Sequence, residues 1–426
     1  MSFLDELEEL ADRVGDDARR RLEEAVRLLE ERAREHPEPL FALLRRVRPV
    51  LLVHGIAIVT QYDDVLEVLN RDEAFSVEPY RGKMNELAGD FILGMDDSPE
   101  YERSVSVLRL AAPRSDIPGL GTYVGETAQA LVAEAAPTGR LDVADLAKRV
   151  PARLVERWFG TPGPDEDELI AWTLAMFEEI FVNLKNDPTI NARAHEAAAP
   201  MRAHLDELIA ARKAGGAPRT DDVLGRLLAM QAAEPAAFSD VEIRTNFIGL
   251  VVGFIPTIAT ATTFALDALL DRPDALESAQ RAARAGDDDA VRAHMYEAMR
   301  LAPQGPGLFR RARTDCVIAE GTHHETRIPA GTLTFAATQS AMLDGDVVDD
   351  PEEFRTGRPP HHYLHFGAGL HECFGRFANA MQIPLIAKAV LRRPGLERAP
   401  GEEGRLVKAG PFPQSLVVRF AASGEE

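Results

Sequence analysis

The sequence predicts a mainly α-helical protein with a minor β portion. Apolar residues recur at helical spacing through nearly all of 120–300, and breaks at 137–139, 161–164, 214–218 and 285–289 divide that region into a bundle of helices. Short β-branched or turn-rich pieces are confined to 49–61, 308–360 and the tail from Leu406 to Phe420. In chain order, Leu4, Leu7 and Val14, then Leu22, Val26 and Leu29, form the apolar stripe of an amphipathic helical arm over 1–36, with Gly15 as a break. The arm's many acidic residues favour packing on the body over a membrane role. A single domain is expected over 37–426. It opens with PVLLVHGIAIVTQ, a hairpin turning at His54-Gly55, followed by a helix over Asp63–Leu69. Later come short β-branched or turn-rich pieces at Cys316–Ala319 and Arg327–Phe335, a turn-rich Asp344–Pro351, and a last helix over Phe377–Leu391.

Composition narrows the function. The 426 residues are 45% hydrophobic and 27% charged, and 48 basic against 69 acidic side chains give a net charge of −21. Nucleic-acid affinity comes mainly from basic side chains on phosphates, so this balance argues against a nucleic-acid partner. The only cysteines, Cys316 and Cys373, exclude a disulfide framework and a zinc site built mainly from thiolates, and they fit a reducing cytoplasm. The start, MSFLDELEELADR, lacks the basic and apolar regions of an export signal. Phe247–Leu266 is charge-free and long enough to cross a bilayer, but Pro256, four threonines and the absence of flanking aromatic belts mark it as a buried helix.

The stretch His365–Gly375, HFGAGLHECFG, sets Cys373 among glycines just before a helix. Glycines let the loop turn back, and backbone N–H groups and the positive end of the helix dipole favour a thiolate there. Such a sulfur suits an anionic metal ligand tuned by hydrogen bonds. A histidine-rich metal tract (His361, His362, His365, His371 with Cys373) matches no zinc spacing.

The loop resembles the heme-binding segment of the cytochrome P-450 family, F-x-x-G-x-[H/R]-x-C-x-G, with Phe366, Gly369, His371, Cys373 and Gly375 matching every fixed position and Gly367 lying within it. YEAMRLAP adds the family's E-x-x-R pair, Glu297 and Arg300, whose spacing allows a charge-assisted contact on one helix face. Arg310-Arg311, IPAGT at 328–332 and DDPEEF at 349–354 follow in the family's order, and the resemblance runs from about Pro39 to Phe420. It implies the triangular P-450 fold, with heme b (iron protoporphyrin IX) between the long central helix and the cysteine loop. By resemblance Cys373 is the axial thiolate, Glu297 and Arg300 are structural, and His371 with Arg310 or Arg311 meets the heme propionates. Family position makes Phe91, Gly253, Phe254, Thr257, Leu308, Phe309 and Phe412 the pocket candidates.

Departures from the family concern the chemistry. Where the family's central helix carries [A/G]-G-x-[D/E]-T, this chain reads Val252-Gly253-Phe254-Ile255-Pro256-Thr257, so the acid is missing in either register. Proline also removes an N–H and collides with the preceding turn, so the helix is expected to kink and free the Val252 carbonyl. Tyr101 and Val105 replace a histidine and an arginine that reach a propionate, with Arg103 or Arg109 as misplaced substitutes, and the family's N-R-D-P segment is not recognisable in SAMLDGD (340–346). The resemblance implies a monooxygenase acting on a hydrophobic small molecule with O2 and electrons from a redox partner such as ferredoxin with its reductase. The basic residues Arg376, Lys388, Arg392 and Arg393 are a surface that would steer an acidic donor. The same heme and thiolate also serve a peroxide- or hydroperoxide-using peroxygenase, isomerase or dehydratase, and, in a third reading, a heme sensor or binding protein without turnover.

Overall fold

A computed structural model describes residues 37–216, 220–234 and 238–422. The N-terminal arm expected over 1–36 lies outside the described residues. The described chain divides into two compact units.

The first unit comprises the chain up to Ser76, Gly305–Pro351 and Gly367–Leu370. Its core is a five-stranded sheet. Val50–Val53 pairs antiparallel with Ile56–Val59, and between them His54 and Gly55 take φ of 48° and 78°, the left-handed pair of a tight hairpin turn. Ile56–Val59 continues parallel to Leu333–Ala336, which pairs antiparallel with Leu308–Ala312, and Phe75–Ser76 closes the edge. The β-branched piece Arg327–Phe335 takes in parts of two strands with the IPAGT turn between them. Thr326–Ile328 pairs with Cys316–Ile318, whereas Leu333–Ala336 joins the large sheet. Pro329, which has no N–H to donate, and Gly331 at φ 82° turn the chain between them.

The second unit, Val77–Gln304, Glu352–Phe366 and the chain from His371, is helical. Its axis is the helix Asp240–Leu270, whose 31 residues span about 46 Å. A capping box starts it: Ser239 Oγ accepts from the Glu242 N–H, and the Glu242 carboxylate accepts from the Ser239 N–H. Helices Val143–Leu154, Glu166–Phe177, Pro188–Ala214, Asp288–Leu301 and Arg376–Leu391 pack around it. It is the one described helix long and apolar enough to cross a membrane, and most of its apolar stretch is buried in protein. Thr260 and Thr263 hydroxyls donate to the Pro256 and Ala259 carbonyls, so these polar groups are satisfied within the helix. The helix runs without interruption through Pro256, which lies inside it.

Small sheets complete this unit. Arg140–Asp142, inside the region whose pattern reads as helical, pairs with Val417–Arg419 of the tail. A partner so distant in sequence leaves no local periodicity to read. A further break, after Val182, ends at Asp187, whose side chain caps the Pro188–Ala214 helix by accepting from the Thr189 N–H at 2.8 Å.

Candidate functional site

The cysteine loop closes on itself before its helix begins. The Cys373 N–H donates to the Phe366 carbonyl at 2.8 Å, and the Arg376 N–H donates to the Cys373 carbonyl at 3.1 Å, starting Arg376–Leu391. Gly367 and Gly369 have φ of 69° and 75°. At Gly369 a side chain is excluded twice, because a Cβ would also stand 2.2 Å from the Leu69 carbonyl oxygen. Gly369→Ala is therefore expected to destabilise the protein by about 1–3 kcal/mol, measured by chemical denaturation. An unchanged denaturation midpoint would show that the turn is not strained.

Burial pushes the Cys373 thiol up to about 11, outweighing the Gly375 N–H that favours its anion, while Glu372 and Arg376 pull in opposite directions. The Gly375 N–H acts in the direction expected of the loop, toward the anion, while burial acts against it. A metal ion supplies the missing positive charge and displaces the thiol proton. Among the described residues no group of three or more His, Cys, Asp or Glu side chains is placed to hold a metal. A lone cysteine fits an iron whose other ligands come from a macrocycle, as heme provides. His365, packed by the rings of Tyr296 and Tyr363 with centroids 5.3 Å away, is pushed by burial down to about 3 and is neutral.

On the long helix, Gly249, Gly253 and Thr257 form a half-buried stripe at four-residue spacing, and the residues on either side of Gly253 and Thr257 are buried. A Cβ at Gly249 would stand 2.3 Å from Phe91 Cγ, whereas one at Gly253 would meet nothing within 4 Å. The helix thus presents open space at Gly253, a gap a flat cofactor or substrate can fill. The Thr257 hydroxyl donates to the Gly253 carbonyl at 2.7 Å, which leaves its lone pairs to accept. Pro256 is buried and off this stripe. Phe254 is also off it, packed in an aromatic cluster with Phe159 and Trp158 at 5.3 and 6.5 Å. Phe412 is buried edge-on to Phe177 at 5.8 Å.

Glu297 and Arg300 are both fully buried and form a bidentate pair, Nε to Oε2 at 3.0 Å and Nη2 to Oε1 at 2.7 Å. Arg358 Nε and the Arg355 N–H also donate to Glu297 Oε1, at 2.9 and 3.0 Å, and the Tyr363 hydroxyl donates to Oε2 at 3.3 Å. Both guanidinium groups reach the Glu353 carbonyl. Burial by itself would raise the Glu297 pKa. Arg300, the Arg355 N–H and Arg358 outweigh it and hold the carboxyl below its ordinary value.

The remaining predicted residues fall as follows. The His371 ring packs against Tyr101 at 5.4 Å, and Arg103 is taken by Glu242 at 2.8 Å. In the first unit Arg310 is buried, with Nη1 donating to the Phe309 carbonyl, whereas Arg311 turns outward to the Gly331 carbonyl. Leu308 lies against Gly367, and the Phe309 ring packs on Phe335 at 4.8 Å. Of the basic run, Arg376 pairs with Glu372 and Lys388 with Asp288. Sequence reasoning missed Arg358 and Tyr363, for which the pattern offers no signal, and Asn379 with Gln382, whose signal is a pair of amides three residues apart in an otherwise apolar helix.

A sequence model of the cytochrome P450 family matches residues 168–417. Mycinamicin IV hydroxylase/epoxidase of Micromonospora griseorubida is 26% identical over 80% of this chain and 82% of its own length. The bifunctional dioxygenase–epoxy alcohol synthase of Pyricularia oryzae is 32% identical over 31% of this chain and 11% of its own. Among solved structures, CalO2 superposes with a TM-score of 0.80 at 24% identity, covering 92% of this chain and 98% of that one. The family match spans more than half of the chain and the fold agrees with it, so this chain belongs to the cytochrome P450 family, the heme-thiolate monooxygenases that bind heme b.

Proposed function

We propose that this chain oxidises a hydrophobic small molecule in the cytoplasm with O2 and electrons from a ferredoxin and its reductase, with Cys373 as the axial ligand of heme b. The open space at Gly253, on the half-buried stripe that also holds Thr257 of a largely apolar helix, carries the substrate reading, since such a surface suits an apolar guest. Bound heme supplies the oxygen chemistry, with Cys373 as its electron-donating ligand. Thr257 is the protic group on the stripe, and its hydroxyl, anchored to Gly253, accepts a hydrogen bond from the oxidant side. By family position His371 is a propionate partner. The Glu297 network is structural, holding the segment 353–363 to the helix Asp288–Leu301. For the electron donor, Arg392 and Arg393 are what remains of the basic surface once Arg376 and Lys388 are paired within the chain.

A second reading is favoured by one observation. The position before Thr257 is a buried proline, so the preceding residue supplies no carboxylate to relay protons to the hydroxyl. An oxidant that arrives with its O–O bond already reduced bypasses much of that relay. Peroxide or an organic hydroperoxide is therefore expected to support turnover at least as well as a reduced ferredoxin system with the same substrate, scored as product per electron consumed. Tight coupling to NAD(P)H through redox partners, with no peroxide-driven product, would return the chain to ordinary monooxygenation. Pro256→Glu restores the family's acid by sequence, but at a buried position off the open stripe, so the expected gain in coupling from that variant is small.

A further inference from the structure

The helix that leaves the cysteine loop, Arg376–Leu391, is apolar along most of its length, and two buried amides interrupt it. Asn379 is 7% exposed and Gln382 is fully buried. Asn379 Nδ2 lies 3.9 Å from Cys373 Sγ, and Gln382 Nε2 donates to Asn379 Oδ1 at 3.1 Å. The Asn379 backbone N–H bonds the Gly375 carbonyl at 2.9 Å, and a Cβ on Gly375 would stand 3.6 Å from Nδ2, so the amide lies against the end of the cysteine loop. Burying amides in an apolar helix costs free energy wherever a polar atom is left without a partner, and Gln382 Oε1 is such an atom.

The chemistry of the sulfur decides how these amides point. With Gln382 donating to the Asn379 oxygen, the Asn379 N–H faces Sγ, which suits a thiolate, since a thiolate only accepts. With both amides reversed, Gln382 Oε1 would accept from Asn379 and the Asn379 oxygen would face Sγ, which suits a thiol that donates. Each arrangement leaves one Gln382 polar atom unpaired, so the charge on the sulfur selects the first. A hydrogen bond to sulfur draws electron density from it and weakens its donation to iron, which favours the ferrous state.

We propose that Asn379, oriented by Gln382, is a positioning residue that donates a side-chain hydrogen bond to the Cys373 thiolate and raises the reduction potential of the heme iron. The inference rests on Cys373 being the axial ligand. The test uses the full-length, heme-loaded, substrate-free protein with Asn379→Leu, which keeps the shape and removes the donor, and Gln382→Met, which removes the orienting group. Spectroelectrochemistry reads the potential, resonance Raman reads the iron–sulfur stretch, and the reduced carbon-monoxide spectrum reads the ligand. In Asn379→Leu the ferric-to-ferrous ratio at fixed potential is expected to rise roughly tenfold, equivalent to ~59 mV for one electron, with a higher stretching frequency and the thiolate spectrum retained. Gln382→Met moves both in the same direction by less. A retained thiolate spectrum with unchanged or raised potential overturns the proposal and leaves the ligand assignment standing, whereas absence of the thiolate spectrum in the unsubstituted protein overturns both. If Asn379→Leu yields no heme-loaded protein, Gln382→Met decides on the same criteria. A merely structural amide pair would shift the melting temperature and leave potential and stretch unmoved.

Discussion

Cys373→Ala is expected to abolish the strongly red-shifted Soret band of the reduced, carbon-monoxide-bound protein and to reduce turnover to background. The band reports a thiolate on the iron, and the only other cysteine, Cys316, is a buried strand residue whose thiol burial also pushes up. Removing Sγ takes away the soft anionic ligand, and alanine offers the metal nothing in its place. The loop should survive the change: its closing hydrogen bond uses the backbone N–H of residue 373 and the Phe366 carbonyl, and its tightest turn belongs to Gly369. Heme uptake with a shifted spectrum is therefore the expected phenotype, rather than wholesale unfolding. Cys316→Ala serves as the control and should keep the band. Retention of the band in Cys373→Ala would sink the ligand assignment.

Glu297→Ala should cost about 3–5 kcal/mol of stability, seen as loss of soluble, heme-loaded protein and a lowered denaturation midpoint. The size follows from what the carboxylate holds. Arg300 and Arg358, at 0% and 3% side-chain exposure, both donate to it, and alanine takes that carboxylate from two buried cations at once. Arg358→Leu removes one of those cations and leaves Glu297 with Arg300, so a smaller loss is expected there. Because the folded carboxyl titrates below its ordinary value, its stabilisation is fully present above the unfolded pKa of about 4.3 and is lost as pH falls through the depressed folded value. Acid unfolding of the unsubstituted protein should show this contribution, and Glu297→Gln should flatten that part of the profile. A well-folded, fully loaded Glu297→Ala with only altered turnover would contradict a structural role.

Much of the fold was legible because its signals are local. The hairpin at His54-Gly55, the long apolar helix and the final helix after the loop were all visible in short windows of side-chain period and turn chemistry. The Arg140–Asp142 strand was not, since its partner lies in the tail, and the Arg327–Phe335 run split in two because its halves pair with different strands. At the site, the loop pattern identified the cysteine and the backbone N–H that favours its anion but not the opposing burial, since hydrogen-bond effects are local while burial is not.

By itself the sequence determined the residue types and spacings that a short segment can impose: the glycine turns around Cys373, the Glu297–Arg300 pair one helical turn apart, and the absence of an acid before Thr257. Tertiary structure alone decided which groups converge on them. It brought Arg358 and Tyr363 onto Glu297, left open space at Gly253 while burying Pro256, and set Asn379 beside the sulfur with Gln382 behind it. The physical reason is the range of the interactions. Helix and turn preferences act over a few residues, whereas burial, charge pairing and the direction of a side chain depend on neighbours that only the folded chain brings within a few ångströms.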